Sequence, residues 1–368
     1  MKIVFILDTI DAPHILKRIT EFINQQYQVE VYGFKHFREK SLNPPSGFDI
    51  KVIGEINQAN YWLRIMGMIK GIRRVLKETK GQDVLYYLPS LDVAMFFRML
   101  SSAPYIYEES DLKHTYVNSK FIQGILERID KRVIKKSIVA AFTSEGFVKY
   151  HFGDTPPKNI CYVFNRLNKG ILDLPIPEKI NINIKNIKFG FVGKATFNAV
   201  YSFTKHIVEN YKEHEVHFYG TTDSRDDTIV KALSEHQNFY LHGRFKNPDD
   251  LPGIYKDIDM VIALYDVDST NVLYAEPNKL YEAMYYRVPI LVSKGTYLAK
   301  KVHRLGMGFE MDATNPKEID AFISELTEQK YNDIVENIEK IDRQEAVNDN
   351  SVLFGHVKDY LTEHTSTH

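Results

Sequence analysis

The chain has 368 residues, in which 47 lysines and arginines nearly balance 48 aspartates and glutamates, so no global basic field argues for a nucleic-acid partner. A single cysteine, Cys161, excludes an intrachain disulfide framework and fits a reducing compartment. No segment approaches the roughly 20 apolar residues of a membrane-spanning helix, and the length suits two domains better than one.

The opening "MKIVFILDTID" has a short apolar run stopped by Asp8. It reads as a buried strand rather than a signal peptide, so the chain is expected in the cytoplasm with a surface that can touch a membrane. Residues 2–34 then run strand "KIVFIL", loop "DTIDAPH", helix "ILKRITEFINQQ" and strand "YQVEVYGF", which is a βαβ unit. Over residues 60–81, "NYWLRIMGMIKGIRRVLKETKG", helical spacing predicts a stripe of Trp62, Ile65, Met66, Ile69, Ile72 and Leu76, with Arg64, Lys70, Arg73, Arg74 and Lys77 flanking it. Such a stripe serves packing on a parallel sheet, or its basic side serves an anionic lipid surface. Strands "DVLYYLP", "PYIYEE" and "IVAAFTS" follow with helical segments between them.

The proline-bearing "GILDLPIPEKININIKN" has little helical period and reads as a connection. Beyond it the opening repeats, with "IKFGFVGK", helical "FTKHIVENY", and strands "EVHFYG", "NFYLHGRF" and "MVIALYD". The expected fold is α/β, with two doubly wound Rossmann-like domains facing each other across a cleft. An N-terminal domain covers 1–170, a linker 171–185 and a C-terminal domain 186–340, with a last helix in 350–368 that can pack back on the first domain. Ligands of such sheets bind at the carboxyl ends of the strands.

In the second half, Gly193 and Lys194, Gly220 and Thr221, Gly243 and Arg244, and Asp266 are predicted just beyond their strands, converging on one edge. Glycine allows close backbone approach there, and Lys194 and Arg244 bring charge suited to a diphosphate. In "YAEPNKLYEAMYYRVPILVS", Pro277 is placed to start a helix whose free amides and dipole make an anion site, with the carboxylate of Glu282 about a turn later. An anion site beside a carboxylate suits a nucleotide, although any αβ unit has a helix start and glutamate is common there. The dinucleotide fingerprint, the Walker loop, zinc motifs and the hydrolase elbow are all absent. His14, His114 and His242 read as isolated surface or core histidines.

The segments "FGFVGK", "VHFYG", "FYLHGRFKNPDDLPGIYKDIDMVIALYD" and "EPNKLYEAMYYRVPILVS" resemble the donor-binding half of retaining glycosyltransferases of the GT-B fold, the "group 1" family. "YIYEESDL", "AAFTSEGFVKY" and "CYVFNRLNKG" are similar to its first half, more weakly. The resemblance implies sugar transfer from a nucleoside-diphosphate sugar to a glycan or lipid-linked acceptor with retention, commonly in bacterial surface polysaccharide assembly. It implies no metal and no other cofactor.

By the same resemblance Glu282 bonds the donor ribose, and the amides of Asn278, Lys279 and Leu280 hold the diphosphate with Lys194, beside Gly193, Gly220 and Arg244. Three departures stand out. Tyr274 replaces a family glutamate, leaving Glu276 as the nearby substitute; no second cation follows Lys194 before Lys205; and Glu108 to Asp111 replace a strand-end histidine. Glu109 or Asp111 is then a candidate to orient an acceptor or donor hydroxyl, or simply an acidic cap. A nucleotide-sugar epimerase or hydrolase of the same fold, and a catalytically silent nucleotide-sugar binder, are the rival readings.

Overall fold

The computed structural model describes residues 2–10, 12–36, 47–56, 61–177, 182–222 and 227–365. The chain divides into two units, one of Met1–Val163 with Asp349–His368, the other of Phe164–Asn348.

The first unit holds a seven-stranded parallel sheet: β1 (Lys2–Leu7), β2 (Val29–His36), β3 (Ile50–Ile56), β4 (Val84–Leu88), β5 (Tyr105–Glu109), β6 (Ala140–Phe142) and β7 (Ile160–Tyr162). Their order is 3-2-1-4-5-6-7, the doubly wound arrangement that reverses between β1 and β4. Ile3 to Leu7 are buried on both faces of the sheet, which is why β1 reads as a continuous apolar run rather than an alternating one. Helices α1 (Pro13–Asn24), α2 (Tyr61–Glu78), α3 (Leu91–Leu100), α4 (Lys120–Lys136) and α5 (Glu145–Phe152) connect the strands.

Helix α2 does not bury the predicted stripe. Trp62 is 73% exposed and Met66 66%, Ile65, Ile69 and Leu76 are half-buried, and of the six only Ile72 is fully inside. The buried line is instead Met68, Gly71, Ile72, Val75 and Thr79. The reason is steric: a Cβ at Gly71 would collide with the Phe34 ring, so the helix comes down on β2 along its glycine. A hydrophobicity pattern gives glycine no weight and therefore misplaces the face. Among the described residues no helix is long and apolar enough to cross a membrane.

The second unit holds β8 (Lys188–Ala195), β9 (Glu215–Thr222), β10 (Phe239–Gly243), β11 (Met260–Ala263), β12 (Ile290–Ser293) and β13 (Gly308–Met311), ordered 10-9-8-11-12-13 and parallel. Helices α6 (Asn198–Asn210), α7 (Asp227–Leu233), α8 (Leu251–Asp257), α9 (Thr270–Tyr274), α10 (Asn278–Tyr286), α11 (Tyr297–Leu305), α12 (Pro316–Glu325) and α13 (Glu328–Glu339) accompany them. Leu167 and Ile171 pack in this unit's core, so the chain changes unit after Val163, ahead of the 171–185 segment. The last helix, α14 (Ser351–Thr365), returns to the first unit, where Leu353, Phe354 and Val357 join the core and Phe354 meets Phe22 edge-on at 5.0 Å.

Candidate functional site

The second sheet reverses its strand order between β8 and β11. A doubly wound domain offers its ligand crevice at that point, at the carboxyl ends of the strands. The start of the first helix, where a dinucleotide fold holds pyrophosphate, is already taken: Asp266, just past β11, accepts from the amides of Asn198 and Ala199 of α6 at 3.0 and 2.8 Å. An internal carboxylate sits where an anion would, which accounts for the missing glycine fingerprint after β8.

Gly193 and Lys194 are not beyond β8 but its last residues but one, and they pair with Gly220 and Thr221 inside β9. Gly193 has φ 130° and Gly220 φ 133°, and a Cβ at Gly220 would overlap the carbonyl of Gly193. The two glycines let neighbouring strand ends close up. Above them lies a cation that the sequence reading credited only with its amide. The ammonium of Lys279 would stand 3.3 Å from a Cβ at Gly193, and it is 4.3 Å from the centroid of the Phe191 ring. Lys279 is buried, and burial pulls its pKa down to about 8, with Glu282 pulling the other way. Lys194 and Arg244, by contrast, are exposed.

Helix α10 begins at Asn278, with Pro277 as its cap residue in an extended conformation rather than its first helical residue. Among the described residues the amides of Asn278 and Lys279 have no acceptor, whereas that of Leu280 donates to the Pro277 carbonyl at 3.2 Å. Two of the three predicted amides thus face outward along the helix dipole, and the third is spent. Glu282, one turn on, is buried and accepts from the Tyr255 hydroxyl at 2.7 Å. Burial raises its pKa, opposed by that hydrogen bond and by Lys279.

Glu276 is buried in an ion pair with Lys301 at 2.6 Å and accepts from the Tyr281 hydroxyl at 2.8 Å. Its backbone carbonyl accepts from Asn165 at 3.1 Å. It therefore clamps the loop before α10. Tyr274, at the end of α9, is half-buried.

In the first unit the two glutamates at the end of β5 point to opposite sides of the sheet, as successive strand residues must. Glu108 receives Arg18 at 3.2 Å, Ser110 at 3.3 Å and the Tyr87 hydroxyl. Glu109 is buried with its Oε1 2.8 Å from His151 Nε2, so it is neither a helix cap nor turned toward solvent. Asp111, partly exposed, borders a cavity of about 120 Å³ shared with Asp8, His14, Ser90 and Lys113, where Lys113 pairs with Asp8. His114 and His242 are not isolated. His114 lies 3.2 Å from Asp130, and His242 Nε2 lies 3.0 Å from His217 Nδ1.

No protein-family model matches the chain, and no curated protein matches it in sequence. Solved structures do match. Anabaena Alr3699/HepE in complex with UDP and glucose aligns over 97% of this chain and 99% of its own at TM-score 0.65 and 14% identity. The lipopolysaccharide outer core galactosyltransferase WaaB aligns over 99% of both chains at TM-score 0.63 and 18% identity. The chain has the GT-B fold. A Listeria monocytogenes structure assigned as a UDP-N-acetylglucosamine 2-epimerase covers 98% of this chain and 97% of its own at TM-score 0.62 and 14% identity, so one GT-B framework is shared by proteins assigned to different reactions.

Proposed function

We propose that the chain is a glycosyltransferase that moves a sugar from a nucleoside-diphosphate sugar to a glycan or lipid-linked acceptor, with retention at the anomeric carbon. The observation that carries this reading is Lys279: a buried ammonium set over the Gly193–Gly220 strand ends, on the first turn of a helix that also carries Glu282. A fixed cation and two outward amides stabilise a diphosphate leaving group where its charge develops. That positive field does not call for a divalent ion at the diphosphate. Glu282, held by Tyr255, accepts from ribose hydroxyls. In the first unit Asp111, at the strand-end cavity, orients the incoming hydroxyl; Glu109 borders the same cavity, with its Oε1 engaged by His151. The neighbours crystallised with UDP or UDP-glucose support UDP as the first nucleotide to try.

The Listeria neighbour supports a second reading, epimerisation of the donor sugar. Incubation with a pool of nucleotide sugars, with and without a panel of lipid-linked and glycan acceptors, separates the readings. Nucleotide released only with acceptor, and a product of unchanged anomeric configuration, is the expected result. A changed sugar without acceptor establishes the epimerase, and tight binding without turnover a silent binder.

A further inference from the structure

The first unit contains a cluster of ionisable groups that this chemistry does not use. His114, on the turn after β5, Asp130 of α4, His151 of α5 and Glu109 of β5 are 0, 0, 5 and 1% exposed. His114 Nδ1 lies 3.2 Å from Asp130 Oδ2, His151 Nε2 lies 4.0 Å from the same oxygen, and one ligand atom from each of the three falls within 4.8 Å of the others. Glu109 stands outside that trio and joins it through its 2.8 Å contact with His151 Nε2. Among the described residues no lysine or arginine pairs with either carboxylate, and Glu109 Oε2 and His151 Nδ1 are buried with no hydrogen-bond partner. Two buried carboxylates without a cation are costly, and an orphaned buried oxygen adds to the cost.

We propose that His114 Nδ1, Asp130 Oδ2, His151 Nε2 and the Glu109 carboxylate form a closed binding site for one divalent transition-metal ion, Zn²⁺ by its ligand chemistry. Two neutral imidazoles and two carboxylates are a zinc donor set, and the ion's charge cancels that of both acids. Zinc bonds of about 2.0–2.1 Å at tetrahedral angles set ligand atoms about 3.3 Å apart, close to the separation of His114 and Asp130. The outer contacts suit the role. The Tyr107 hydroxyl donates to Asp130 Oδ1 at 2.9 Å, and Tyr150 lies 3.4 Å from His114 Nε2, leaving Asp130 Oδ2 and His114 Nδ1 for the ion. Binding displaces two protons: the one shared between His151 Nε2 and Glu109 Oε1 leaves to solvent, and the one between His114 Nδ1 and Asp130 Oδ2 gives way to a proton on His114 Nε2, facing Tyr150, as the metal bonds form. With all four positions filled by protein the site is structural: it ties β5, the turn carrying His114, α4 and α5 together beneath the Asp111 loop.

The test uses the full chain without an affinity tag. After stripping with a chelator, the expected result is uptake of about one zinc per chain, read against a chromophoric competitor, with proton release and a higher Tm. Cobalt in place of zinc should give the intense visible bands of a four-coordinate nitrogen–oxygen site. Asp130→Asn and His151→Gln should each weaken uptake at least about tenfold, while His217→Gln, at the other histidine pair, should leave it intact. Should the first two variants fail to fold, the cobalt spectrum of the wild-type chain decides. A folded, stripped wild-type chain that takes up neither metal, a six-coordinate cobalt spectrum, or uptake lost only in His217→Gln would overturn the proposal.

Discussion

Gly193 and Gly220 face each other across β8 and β9, and the carbonyl of Gly193 fills the space a side chain at Gly220 would need. With φ 133° as well, Gly220 is closed to other residues on two independent grounds. Gly220→Ala is expected to destabilise the second unit by about 3 kcal/mol, combining backbone strain with a contact between backbone atoms that cannot move aside. Urea unfolding with unchanged m-value measures this. A loss below 0.5 kcal/mol, roughly the size of an ordinary surface change, would mean the strand ends are not held as described.

Lys279 gives the proposed donor site a pH signature. Its pKa is held at about 8 by burial, and a bound diphosphate favours the charged form. Below pH 8 the lysine is charged with or without ligand, so affinity is flat; above it, binding must take up a proton, and affinity falls by up to tenfold per pH unit. Stability moves the other way. Between pH 8 and the unfolded value of about 10.4 the unfolded chain holds the extra proton, so stability rises with pH across that window. Calorimetry of UDP binding from pH 7 to 9.5, with no divalent ion added, is expected to show the fall in the wild type and a weak, pH-independent affinity in Lys279→Met. The same slope in both proteins would remove Lys279 from the site.

Glu282 has two duties, and two substitutions separate them. Its carboxylate accepts from Tyr255 in the interior, so Glu282→Ala strands that hydroxyl and should cost about 1–3 kcal/mol of stability. Glu282→Gln keeps an acceptor for Tyr255 but loses the charged bond to ribose, and should weaken nucleotide binding by about 1.5–3 kcal/mol with little change in Tm. Unchanged affinity for UDP in the glutamine variant would leave Glu282 a purely structural residue.

Legibility in the sequence mostly followed burial, the edge strand β10 being an exception, read although Tyr240 to His242 are exposed. Strands β1, β4 and β8 are covered on both faces, and their apolar runs could be read directly; β3, β7 and β13 lie at or beside sheet edges, are partly exposed, and carry no such run. The glycines near the ends of β8 and β9 and the carboxylate of Glu282 were visible because a backbone constraint or a charge beside a proline leaves a local mark. Lys279 was visible only as an amide, since which way a first-turn lysine turns depends on Phe191, nearly ninety residues earlier. Separation along the chain also hid Asp266 as the cap of α6, and Asp130 and His151 as companions of Glu109. Each of these is a pairing made by the sheet order rather than by neighbours in the chain.

The exposed end of α2 leads to the last prediction. Trp62, Leu63 and Met66 are exposed on its first turns, Lys70, Arg73 and Lys77 are exposed farther along, and at the start of α4 Phe121 is 77% exposed with Ile122 beside it. Aromatic and aliphatic side chains next to lysine and arginine make a surface suited to the headgroup region of anionic lipid. There each cation near the surface contributes about 1 kcal/mol. Burial of Met68, Gly71, Ile72 and Val75 on the opposite side means this face can be altered without touching the core. The wild-type chain is expected to sediment with phosphatidylglycerol vesicles at low salt and to be released as salt rises. Trp62→Ser with Met66→Ser should weaken that binding at all salt concentrations, and Arg73→Gln with Lys77→Gln should weaken it most at low salt, neither pair lowering Tm or UDP affinity. A wild-type chain that stays in the supernatant with such vesicles at low salt would rule out lipid as the occupant of this face.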